Sequence, residues 1–395
     1  MPDIRCILPW VHQHADINGH YSLCCFNIYH EGFHGFGKGQ APLEAFNHPE
    51  MKKARLQMLR GEEPESCKVC YHWEKFGVLS NRINKNKEYK DYTYLYDKTK
   101  SDGHLDSVPI YIDFRFGNLC NFTCRMCSAH SSSSWVKESK HYGFVKKDYP
   151  TFTDEWTNNT KFWTDIDKIK SGIREIYFAG GEPLVQEGHY KLLQHLIDNK
   201  CTDIILSYNT NLSYSGKFKG YDIKEMWKHF KRINVSPSIE GFKEKAEYGR
   251  KGLLWDTFER NVDSFDEYIN NFSITTSLYS ITSNIDLVKW ITARNKPFHI
   301  TNLNQPKILS TCVFPKNIKQ QIIKEYRGLL SNKKFFDIIS EEHLGMLLGS
   351  LKNMNSKDYS HLQKDFKQYN EKLDLYRNES FEATFPELAE WYRNI

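Results

Sequence analysis

The 395-residue sequence lacks several features that would place it in a membrane, outside the cell or on nucleic acid. No apolar run approaches the roughly 18 residues that a membrane-spanning helix needs, and the first apolar run is too short for a signal-peptide core. There is no long lysine–arginine block, and the formal net charge is only +5. Internal repeats and long low-complexity tracts are also missing. We therefore expect a cytoplasmic globular chain with no membrane partner, and the mild charge gives little support to a nucleic-acid partner.

Cysteine is the residue type that this expectation does not explain. The sequence contains 10 cysteines, although thiols stay reduced in the cytoplasm and disulfides are rare there. Most of them fall into two groups, Cys6, Cys24, Cys25, Cys67 and Cys70 near the N-terminus and Cys120, Cys124 and Cys127 further along. Grouped cysteines in a reducing compartment indicate metal binding.

Short β-rich runs begin at about residue 110 and alternate with segments of helical period. Such alternation predicts parallel β/α units, in which functional residues follow the C-terminal ends of the strands. The predicted strands cover residues 111–116, 175–180, 203–209, 232–239, 273–280 and 298–304. After Pro315 the strand signal stops, and amphipathic patterns at 317–330, 335–353 and 362–378 predict a helical C-terminal extension.

The segment CNFTCRMC follows the first strand of this array and carries the second cysteine group with the spacing C-x3-C-x2-C. A cubane iron–sulfur cluster has four irons that each want one external ligand, so three cysteines would leave one iron open as a reaction site. The alternative from the residues alone is a zinc site of three cysteines and one histidine, with His130 as the fourth ligand.

The second strand of the array ends in the motif GGEP, which is Gly180, Gly181, Glu182 and Pro183. Paired glycines leave backbone N–H and C=O groups open to a close ligand, and a zinc ribbon has no use for this. With the three-cysteine loop after the first strand and GGEP after the second, residues 108–315 resemble the radical S-adenosylmethionine (SAM) superfamily.

The resemblance implies an α/β fold with a partial (β/α)6 TIM-type barrel, an N-terminal cysteine-rich cluster module and a helical C-terminal extension. The expected boundaries are 1–105 for the module and its linker, 106–315 for the barrel and 316–395 for the extension. The resemblance also implies a [4Fe–4S] cluster whose open iron is chelated by SAM. One electron, delivered to the cluster by a reductant such as flavodoxin or ferredoxin, would cleave SAM to methionine and a 5′-deoxyadenosyl radical that abstracts hydrogen from substrate.

By position, the same resemblance implies SAM-binding residues beyond the cysteine loop. Gly180, Gly181 and Glu182 would hold the amino end of the methionine. Arg250 would pair with its carboxylate, since a guanidinium group grips a carboxylate in a fork, and Met126 would pack near the adenine. The other expected contacts to SAM or substrate are Pro183, Asn209, Asn211, Ser236 and Ser238. Taken alone, each of these polar residues could instead be a strand-end cap or part of a solvated loop.

The N-terminal cysteines form a second pattern. Cys6 and Cys24 flank a glycine as C-x12-G-x4-C, and Cys67 and Cys70 follow in CKVC. Four thiolates from three places can close around a metal, and zinc is one candidate. The pattern also resembles the SPASM and twitch extensions of radical SAM enzymes, which carry an auxiliary [4Fe–4S] cluster, although those extensions normally follow the barrel. The glycine spacing favours Cys24 as the ligand over Cys25, which could be core, a substitute ligand or a reactive thiol.

The resemblance to SPASM and twitch enzymes implies that the substrate is a peptide or protein side chain. The alternatives are a small metabolite such as an amino sugar, an RNA, or a non-catalytic binding protein stabilised by zinc or a cluster. Cys312 lies beyond the sixth strand, near the expected barrel mouth. It is a candidate catalytic hydrogen donor to a substrate radical, with a buried structural thiol and a stray ligand of the N-terminal cluster as the other possible roles.

Overall fold

The computed structural model describes residues 4–29, 35–75, 80–151, 155–330 and 339–395. The chain forms two compact units. Unit 1 comprises Met1–Leu119, Thr151–Tyr208 and Gly216–Ile233, and unit 2 comprises Cys120–Pro150, Asn209–Ser215 and Asn234–Ile395. Residues 335–338 of the predicted helix 335–353 lie outside the described residues.

The regular elements follow the predicted alternation from about residue 110 onward. The strands are β1 (His12–Ala15), β2 (Tyr21–Ser22), β3 (Tyr111–Phe114), β4 (Thr123–Cys124), β5 (Glu175–Phe178), β6 (Ile205–Thr210), β7 (Lys217–Phe218), β8 (Tyr221–Asp222), β9 (Arg232–Pro237), β10 (Arg250–Lys251), β11 (Phe272–Thr276) and β12 (Phe298–Asn302). The helices are α1 (Leu8–Val11), α2 (Pro42–Phe46), α3 (Pro49–Leu59), α4 (Lys68–Lys75), α5 (Asn81–Glu88), α6 (Trp135–His141), α7 (Thr160–Ile169), α8 (Glu187–Asp198), α9 (Ile223–Trp227), α10 (Glu244–Gly249), α11 (Trp255–Ser264), α12 (Asn284–Thr292), α13 (Lys316–Leu330), α14 (Glu341–Ser356), α15 (Gln363–Arg377), α16 (Phe381–Thr384) and α17 (Ala389–Arg393).

The main sheet has the strand order β2-β1-β3-β5-β6-β9. In unit 1, β1 is parallel to β3, β3 to β5 and β5 to β6, whereas β2 is antiparallel to β1. Strands β6 and β9 both begin in unit 1 and continue into unit 2. Because His12 of β1 lies opposite Tyr111 of β3, the N-terminal segment supplies a strand to the predicted barrel sheet, across the expected boundary at 105/106.

One face of the unit 1 sheet is apolar and packs against helices. Phe178 of β5 and Tyr208 of β6 are buried and stack with ring centroids 4.9 Å apart. Phe178 also contacts His189 of α8, and Tyr208 contacts Trp227 of α9. The alternation of buried and half-buried positions along β5 and β6 is that of strands whose two faces meet different surroundings.

Unit 2 contains the last two strands of the predicted array and the helical extension. Strands β11 and β12 are parallel, with Phe272 opposite Phe298, and a parallel bridge joins Ser238 to Ser273. Leu373 of α15 belongs to a buried cluster with Ala129, Trp135 and Val136, which follow the cysteine loop in the chain. The C-terminal helices therefore share a core with the segment that follows the cysteine loop.

The predicted α/β class is confirmed, and each of the six predicted strands overlaps an observed one. Among the described residues the strands do not close into a complete barrel, which agrees with the expected partial barrel. No helix in the described part of the chain has the length and apolar character needed to cross a membrane.

Candidate active site

The three-cysteine loop begins shortly after β3 and lies in unit 2. Cys124 ends β4, which pairs antiparallel with β10, and the register places Cys124 opposite Arg250. The backbone N–H of Cys127 donates to the carbonyl oxygen of Cys124 over 2.9 Å. Cys120 and Cys127 both raise the pKa of Cys124, so the three thiols are near enough to act on one another's charge.

Side chains that follow the loop hold its backbone in place. The hydroxyl of Ser134 donates to the carbonyl oxygen of Cys120 over 2.6 Å, and the hydroxyl of Ser133 accepts from the N–H of Cys120 over 3.2 Å. The indole N–H of Trp135 donates to the carbonyl oxygen of Cys124 over 2.8 Å. Because these bonds satisfy backbone groups of the loop, they fix the backbone conformation of the segment that carries the three thiols.

Arg125, inside the loop, ties it to the C-terminal extension. Its side chain is fully buried, and the guanidinium carbon lies 3.6 Å from the centroid of the Tyr248 ring. The guanidinium group donates to Asn370 over 2.8 Å, to Asp374 over 2.5 Å and to Glu379 over 2.7 Å. Arg125 was not predicted as a functional residue, because nothing in the local sequence reveals partners that lie about 250 positions along the chain.

Arg250, expected to bind the SAM carboxylate, forms a buried ion pair with Glu240. Its Nε donates to Oε2 of Glu240 over 2.5 Å, and its Nη2 donates to Oε1 over 3.3 Å. Both side chains are buried. The sequence analysis missed Glu240, although its place just after β9 is where a β/α array puts functional side chains.

The charges around the loop act on its thiols. Burial is the main cause that raises the pKa of Cys124 and Cys127, to about 11 for Cys127, and the neighbouring thiols raise both further. Arg250 acts in the opposite direction on both. A cation beside buried thiols favours their thiolate form, which is the form that binds iron.

Asn211 lies at the same loop. Its amide Nδ2 is 4.0 Å from the sulfur of Cys120 and donates to Oδ1 of Asn121 over 3.0 Å. Asn121 in turn donates to the hydroxyl of Ser213 over 2.9 Å. Asn211 and the first cysteine of the loop are therefore joined through a small polar network.

Four other expected contacts lie at strand ends or in the loop. Ser236 Oγ donates to Oδ1 of Asn270 over 3.4 Å, and the N–H of Ser238 donates to the carbonyl oxygen of Thr210 over 2.8 Å. Asn209 and Met126 are half-buried.

The GGEP motif lies in unit 1, after β5. Gly180 has φ +87°, and a Cβ on Gly181 would lie 2.3 Å from the carbonyl oxygen of Leu119, so these backbones approach too closely for any side chain. The N–H of Glu182 donates to that same carbonyl oxygen over 2.8 Å. The buried carboxylate of Glu182 accepts from the N–H of Leu184 over 3.1 Å and caps the short 3-10 turn that Pro183 begins. Leu119 is the residue that precedes Cys120 in the chain.

Four of the N-terminal cysteines line one small cavity in unit 1. They are Cys6 before α1, Cys24 after β2, and Cys67 and Cys70 at the start of α4. Burial raises the pKa of each thiol, to about 12 for Cys67, and Cys67 raises the pKa of both Cys6 and Cys24. The cavity is thus lined by the four residues that the sequence pattern selected.

An arginine also stands at this cavity. Arg82 is one of its lining residues and pairs with Glu74 through two nitrogens. Its charge lowers the pKa of Cys6 and of Cys67, which favours thiolates in the same way as Arg250 does in unit 2. Among the described residues, no three His, Cys, Asp or Glu side chains lie close enough together to hold a metal ion. The two thiol groups fit a metal through the chemistry of their sulfur donors and because the thiols of each group share a site.

Cys25 has other neighbours than Cys24. It is not among the described residues that line the cavity. Burial raises the pKa of Cys25 to about 11, Asp113 raises it further and Arg115 lowers it. Asp113 lies in β3 and Arg115 directly follows it. The two adjacent cysteines thus face different surroundings.

Cys312 lies in the core of unit 2. It is 3% exposed, and its thiol donates to the carbonyl oxygen of Asn353 in α14 over 3.3 Å. Its own N–H donates to the hydroxyl of Ser310 over 3.3 Å. These contacts are those of a packed structural thiol.

Residues 114–288, less than half of the chain, match the family model of the Radical SAM superfamily. The curated relatives include GTP 3′,8-cyclase of Sulfurimonas denitrificans, 28% identical over 162 residues, which cover 41% of this chain and 44% of that protein. GTP 3′,8-cyclase of Campylobacter lari is 27% identical over 192 residues, which cover 47% of this chain and 52% of that protein. The chain spans about half the length of the curated relatives it matches. The match supports the predicted radical SAM domain, and this family implies a [4Fe–4S] cluster and SAM.

Among solved structures, SuiB of Streptococcus suis bound to the precursor peptide SuiA aligns with 74% of this chain and 62% of that chain. The sequence identity is 14% and the TM-score 0.38. SuiB bound to S-adenosylmethionine gives the same identity and TM-score, with 72% and 64% of the two chains aligned. A similarity of this size carries no argument about substrate.

Proposed function

We propose that this chain is a hydrogen-abstracting radical SAM enzyme whose [4Fe–4S] cluster is held by Cys120, Cys124 and Cys127. The observation that carries the proposal is the gathering of these three thiols on a loop that the protein fixes, opposite Arg250. When bound, the cluster and SAM would supply the 5′-deoxyadenosyl radical that removes a hydrogen atom from the substrate.

The buried ion pair gives Arg250 two tasks in this proposal. The contacts with Glu240 use Nε and Nη2, so Nη1 is the nitrogen that we assign to the SAM carboxylate. Glu240 fixes the direction of the guanidinium group, since two parallel hydrogen bonds define its plane. At the same time the charge of Arg250 favours thiolate at Cys124 and Cys127.

The GGEP segment would hold the amino end of SAM through its backbone. The carboxylate of Glu182 is buried and caps the turn at Leu184, so the backbone carbonyl groups of Gly180, Gly181 and Glu182 are the better acceptors, with Pro183 fixing the turn. Asn211, beside Cys120, is assigned to the ribose or substrate. The same role is proposed for Asn209, Ser236 and Ser238, and packing on the adenine for Met126.

We further propose that Cys6, Cys24, Cys67 and Cys70 hold an auxiliary [4Fe–4S] cluster. The shared cavity and the mutual influence of the thiols support this. Four cysteines complete the coordination of a cubane, which leaves no iron open for SAM. Zinc would accept the same four thiolates, so metal analysis separates the two.

The substrate that we propose first is a peptide or protein side chain, on the strength of the four-cysteine pattern and its resemblance to SPASM and twitch extensions. A small metabolite is the second candidate, because the curated relatives include GTP 3′,8-cyclases. Incubation of the reduced enzyme with SAM and GTP, followed by mass spectrometry of the nucleotides, tests the second candidate directly. A cyclised nucleotide would replace the peptide proposal.

The test of the central proposal is anaerobic reconstitution with iron and sulfide, followed by reduction with dithionite in the presence of SAM. We expect about eight iron and eight sulfide per chain, the content of two cubanes, and formation of 5′-deoxyadenosine. A protein that holds only zinc and leaves SAM intact would rule the proposal out. About four iron with one zinc would keep the SAM chemistry and remove the auxiliary cluster.

A further inference from the structure

A group of aromatic rings, three exposed and two half-buried, lies on unit 2 beside the cysteine loop. It consists of His141, Tyr142, Phe144, Tyr369 and Tyr376, which we call the aromatic surface. The centroids of neighbouring rings lie 4.7 to 5.8 Å apart. Phe144 is 41% and Tyr376 is 39% exposed. Exposed apolar patches of this kind on a globular protein mark interaction sites more often than chance allows.

The aromatic surface shares a core with the loop that carries the thiols. Tyr369 and Cys127 pack against the same buried cluster, which contains Trp135 and Leu373. The hydroxyl of Tyr369 also donates to the carbonyl oxygen of Arg125 over 2.8 Å, and Arg125 is inside the loop. A protein seated on these rings would therefore stand one layer of side chains away from the cluster ligands.

Positive charge surrounds the rings. The segments that carry them, 135–149 and 363–377, hold more exposed or half-buried lysines than carboxylates. The lysines are Lys137, Lys140, Lys146, Lys147, Lys364, Lys367 and Lys372, and the carboxylates are Asp148, Asp365, Glu371 and Asp374. The Nζ of Lys372 lies 5.7 Å from the centroid of the Phe144 ring. Glu138 of α6 is buried and accepts hydrogen bonds from Arg377, so its charge does not offset the surplus of lysines at the surface.

We propose that the aromatic surface and its lysines dock an acidic one-electron donor protein, which reduces the cluster on the three-cysteine loop. The inference rests on the proposed function, because only a reaction that consumes an electron needs a donor. In each encounter the donor is oxidised by one electron and the cluster is reduced by one, and cleavage of SAM uses that electron. Electron-transfer encounters bury small interfaces and depend on complementary charge, which a compact basic patch with exposed rings provides.

A nucleic acid is the other polyanion that such a surface could attract. Proteins that bind single strands present separate aromatic faces on which successive bases stack. Here the rings contact one another, as in the T-shaped pair of His141 and Tyr142 at 4.7 Å. Because Tyr369 packs on the core of the cysteine loop, a partner bound at this surface would lie near the cluster ligands. An electron donor needs that proximity, whereas an RNA does not.

The test uses the reconstituted full chain and flavodoxin as the probe. The surface variant carries Lys146→Glu, Lys147→Glu and Lys372→Glu. The control variant carries Lys316→Glu, Lys352→Glu and Lys357→Glu, which are exposed lysines elsewhere in unit 2, so both variants change the net charge equally. Carbodiimide cross-linking to oxidised flavodoxin, mapped by mass spectrometry, reports the docking site without any turnover. Formation of 5′-deoxyadenosine is then compared with reduced flavodoxin and with dithionite as the reductant.

We expect cross-links at the lysines of the surface in the wild type and in the control. At low salt the surface variant should lose about tenfold or more of the flavodoxin-driven rate and keep the dithionite-driven rate. The flavodoxin-driven rate of the wild type should also fall as salt is added. Because exposed lysines contribute little to folding, the variant is expected to fold normally.

Cross-links that map elsewhere, or equal losses in the surface and control variants, would overturn the docking site. The docking site would also be overturned if the wild type bound a uridine oligonucleotide and the surface variant lost that binding while its flavodoxin-driven rate stayed unchanged. If the wild type fails to cleave SAM even with dithionite, the proposed function fails, whereas the cross-link map still decides whether this surface binds the acidic protein.

Discussion

The two thiol groups of this protein are assembled in opposite ways. Unit 2 takes its three thiols from the single segment 120–127, whose backbone is fixed by the side chains that follow it. Unit 1 takes four thiols from three separate segments, and they meet only because α1, the end of β2 and α4 pack around one cavity. A local loop can leave one coordination place open for a ligand, while a set gathered by the fold supplies a complete shell and depends on the fold for its existence.

The electrostatic surroundings of the two groups are more alike than their construction. Each has an arginine that is paired with a glutamate, Arg250 with Glu240 in unit 2 and Arg82 with Glu74 in unit 1. In both cases the arginine favours thiolate at nearby cysteines. Each group also has an asparagine at one of its thiols, since Asn211 reaches Cys120 in unit 2 and the thiol of Cys24 donates to Oδ1 of Asn27 over 3.6 Å in unit 1. The surroundings of both groups therefore suit binding of iron, and what distinguishes the loop is that it supplies three thiols where the cavity supplies four.

The largest expected effect comes from removing one thiol group and leaving the other. Replacement of Cys120, Cys124 and Cys127 by Ala should remove about four iron and abolish 5′-deoxyadenosine formation with dithionite. Replacement of Cys67 and Cys70 by Ala should also remove about four iron, because two missing ligands cannot close a cubane, but cleavage of SAM should persist. Iron analysis and product quantification check both results.

Cys201→Ala is the matched control for these variants, because Cys201 belongs to neither group. It should keep both clusters and full SAM cleavage. If the loop variant still cleaved SAM, or if the cavity variant folded normally and lost cleavage entirely, the division of labour between the two groups would be wrong.

The contrast between the groups also explains what the sequence could predict. The three-cysteine loop could be predicted because its C-x3-C-x2-C spacing is local and the loop follows a predicted strand. Cys24 was selected over Cys25 by its distance from a glycine, and the structure places Cys24 at the cavity. Glu240 was not found, because a carboxylate ten residues before Arg250 has no local signature for a buried pair. The partners of Arg125 in the C-terminal helices were out of reach for the same reason, since they are close only in the folded chain.

The fold shows the same division between local and long-range information. Short β-rich runs between segments of helical period predicted the six strands from Tyr111 onward. The strand at His12–Ala15 was not predicted, because its four residues, HQHA, form no β-rich run. Its parallel pairing with β3 depends on neighbours that the sequence places about a hundred residues away. Sequence patterns thus predicted the elements, and the structure was needed to show that the N-terminal cysteines are attached to the same sheet.

The adjacent cysteines Cys24 and Cys25 offer the second largest effect, confined to unit 1. Cys24→Ser should lose about four iron, because it removes one ligand of the cavity set. Cys25→Ser should keep its iron, because Cys25 faces Asp113 and Arg115 instead. The pair differs by one position in the chain, so each variant controls for the other in anaerobic iron analysis. Loss of iron in Cys25→Ser alone would transfer the ligand role to Cys25.

A smaller effect is expected at Arg250, which lies opposite Cys124 of the loop. Arg250→Ala should weaken SAM binding by about 1.5–3 kcal/mol, the scale of a charge-assisted hydrogen bond, as measured by equilibrium dialysis on the reconstituted protein. Lys251→Ala is the matched control, since Lys251 is the next residue of β10 and pairs with Glu379. Its SAM affinity should be unchanged.

The ion pair with Glu240 adds a readout of stability to that experiment. Arg250→Ala leaves Glu240 buried without its partner, and breaking a buried pair in this way costs about 3–5 kcal/mol of folding free energy. The variant Arg250→Ala with Glu240→Ala should recover part of that stability in denaturant unfolding, while SAM affinity stays low. Recovery of SAM affinity in the double variant would show that Arg250 supports folding and does not contact SAM.

The smallest effect is expected at Cys312, which belongs to neither thiol group. Its side chain is buried and donates to the carbonyl oxygen of Asn353, and a serine hydroxyl can make the same hydrogen bond. Cys312→Ser should therefore change the free energy of unfolding by about 1 kcal/mol or less and leave iron content, SAM cleavage and product unchanged. Unchanged iron and SAM cleavage with a stalled or altered product would instead identify Cys312 as a hydrogen donor. Loss of about four iron would make it a ligand of the cavity cluster, and the separation of the two thiol groups by unit would no longer stand.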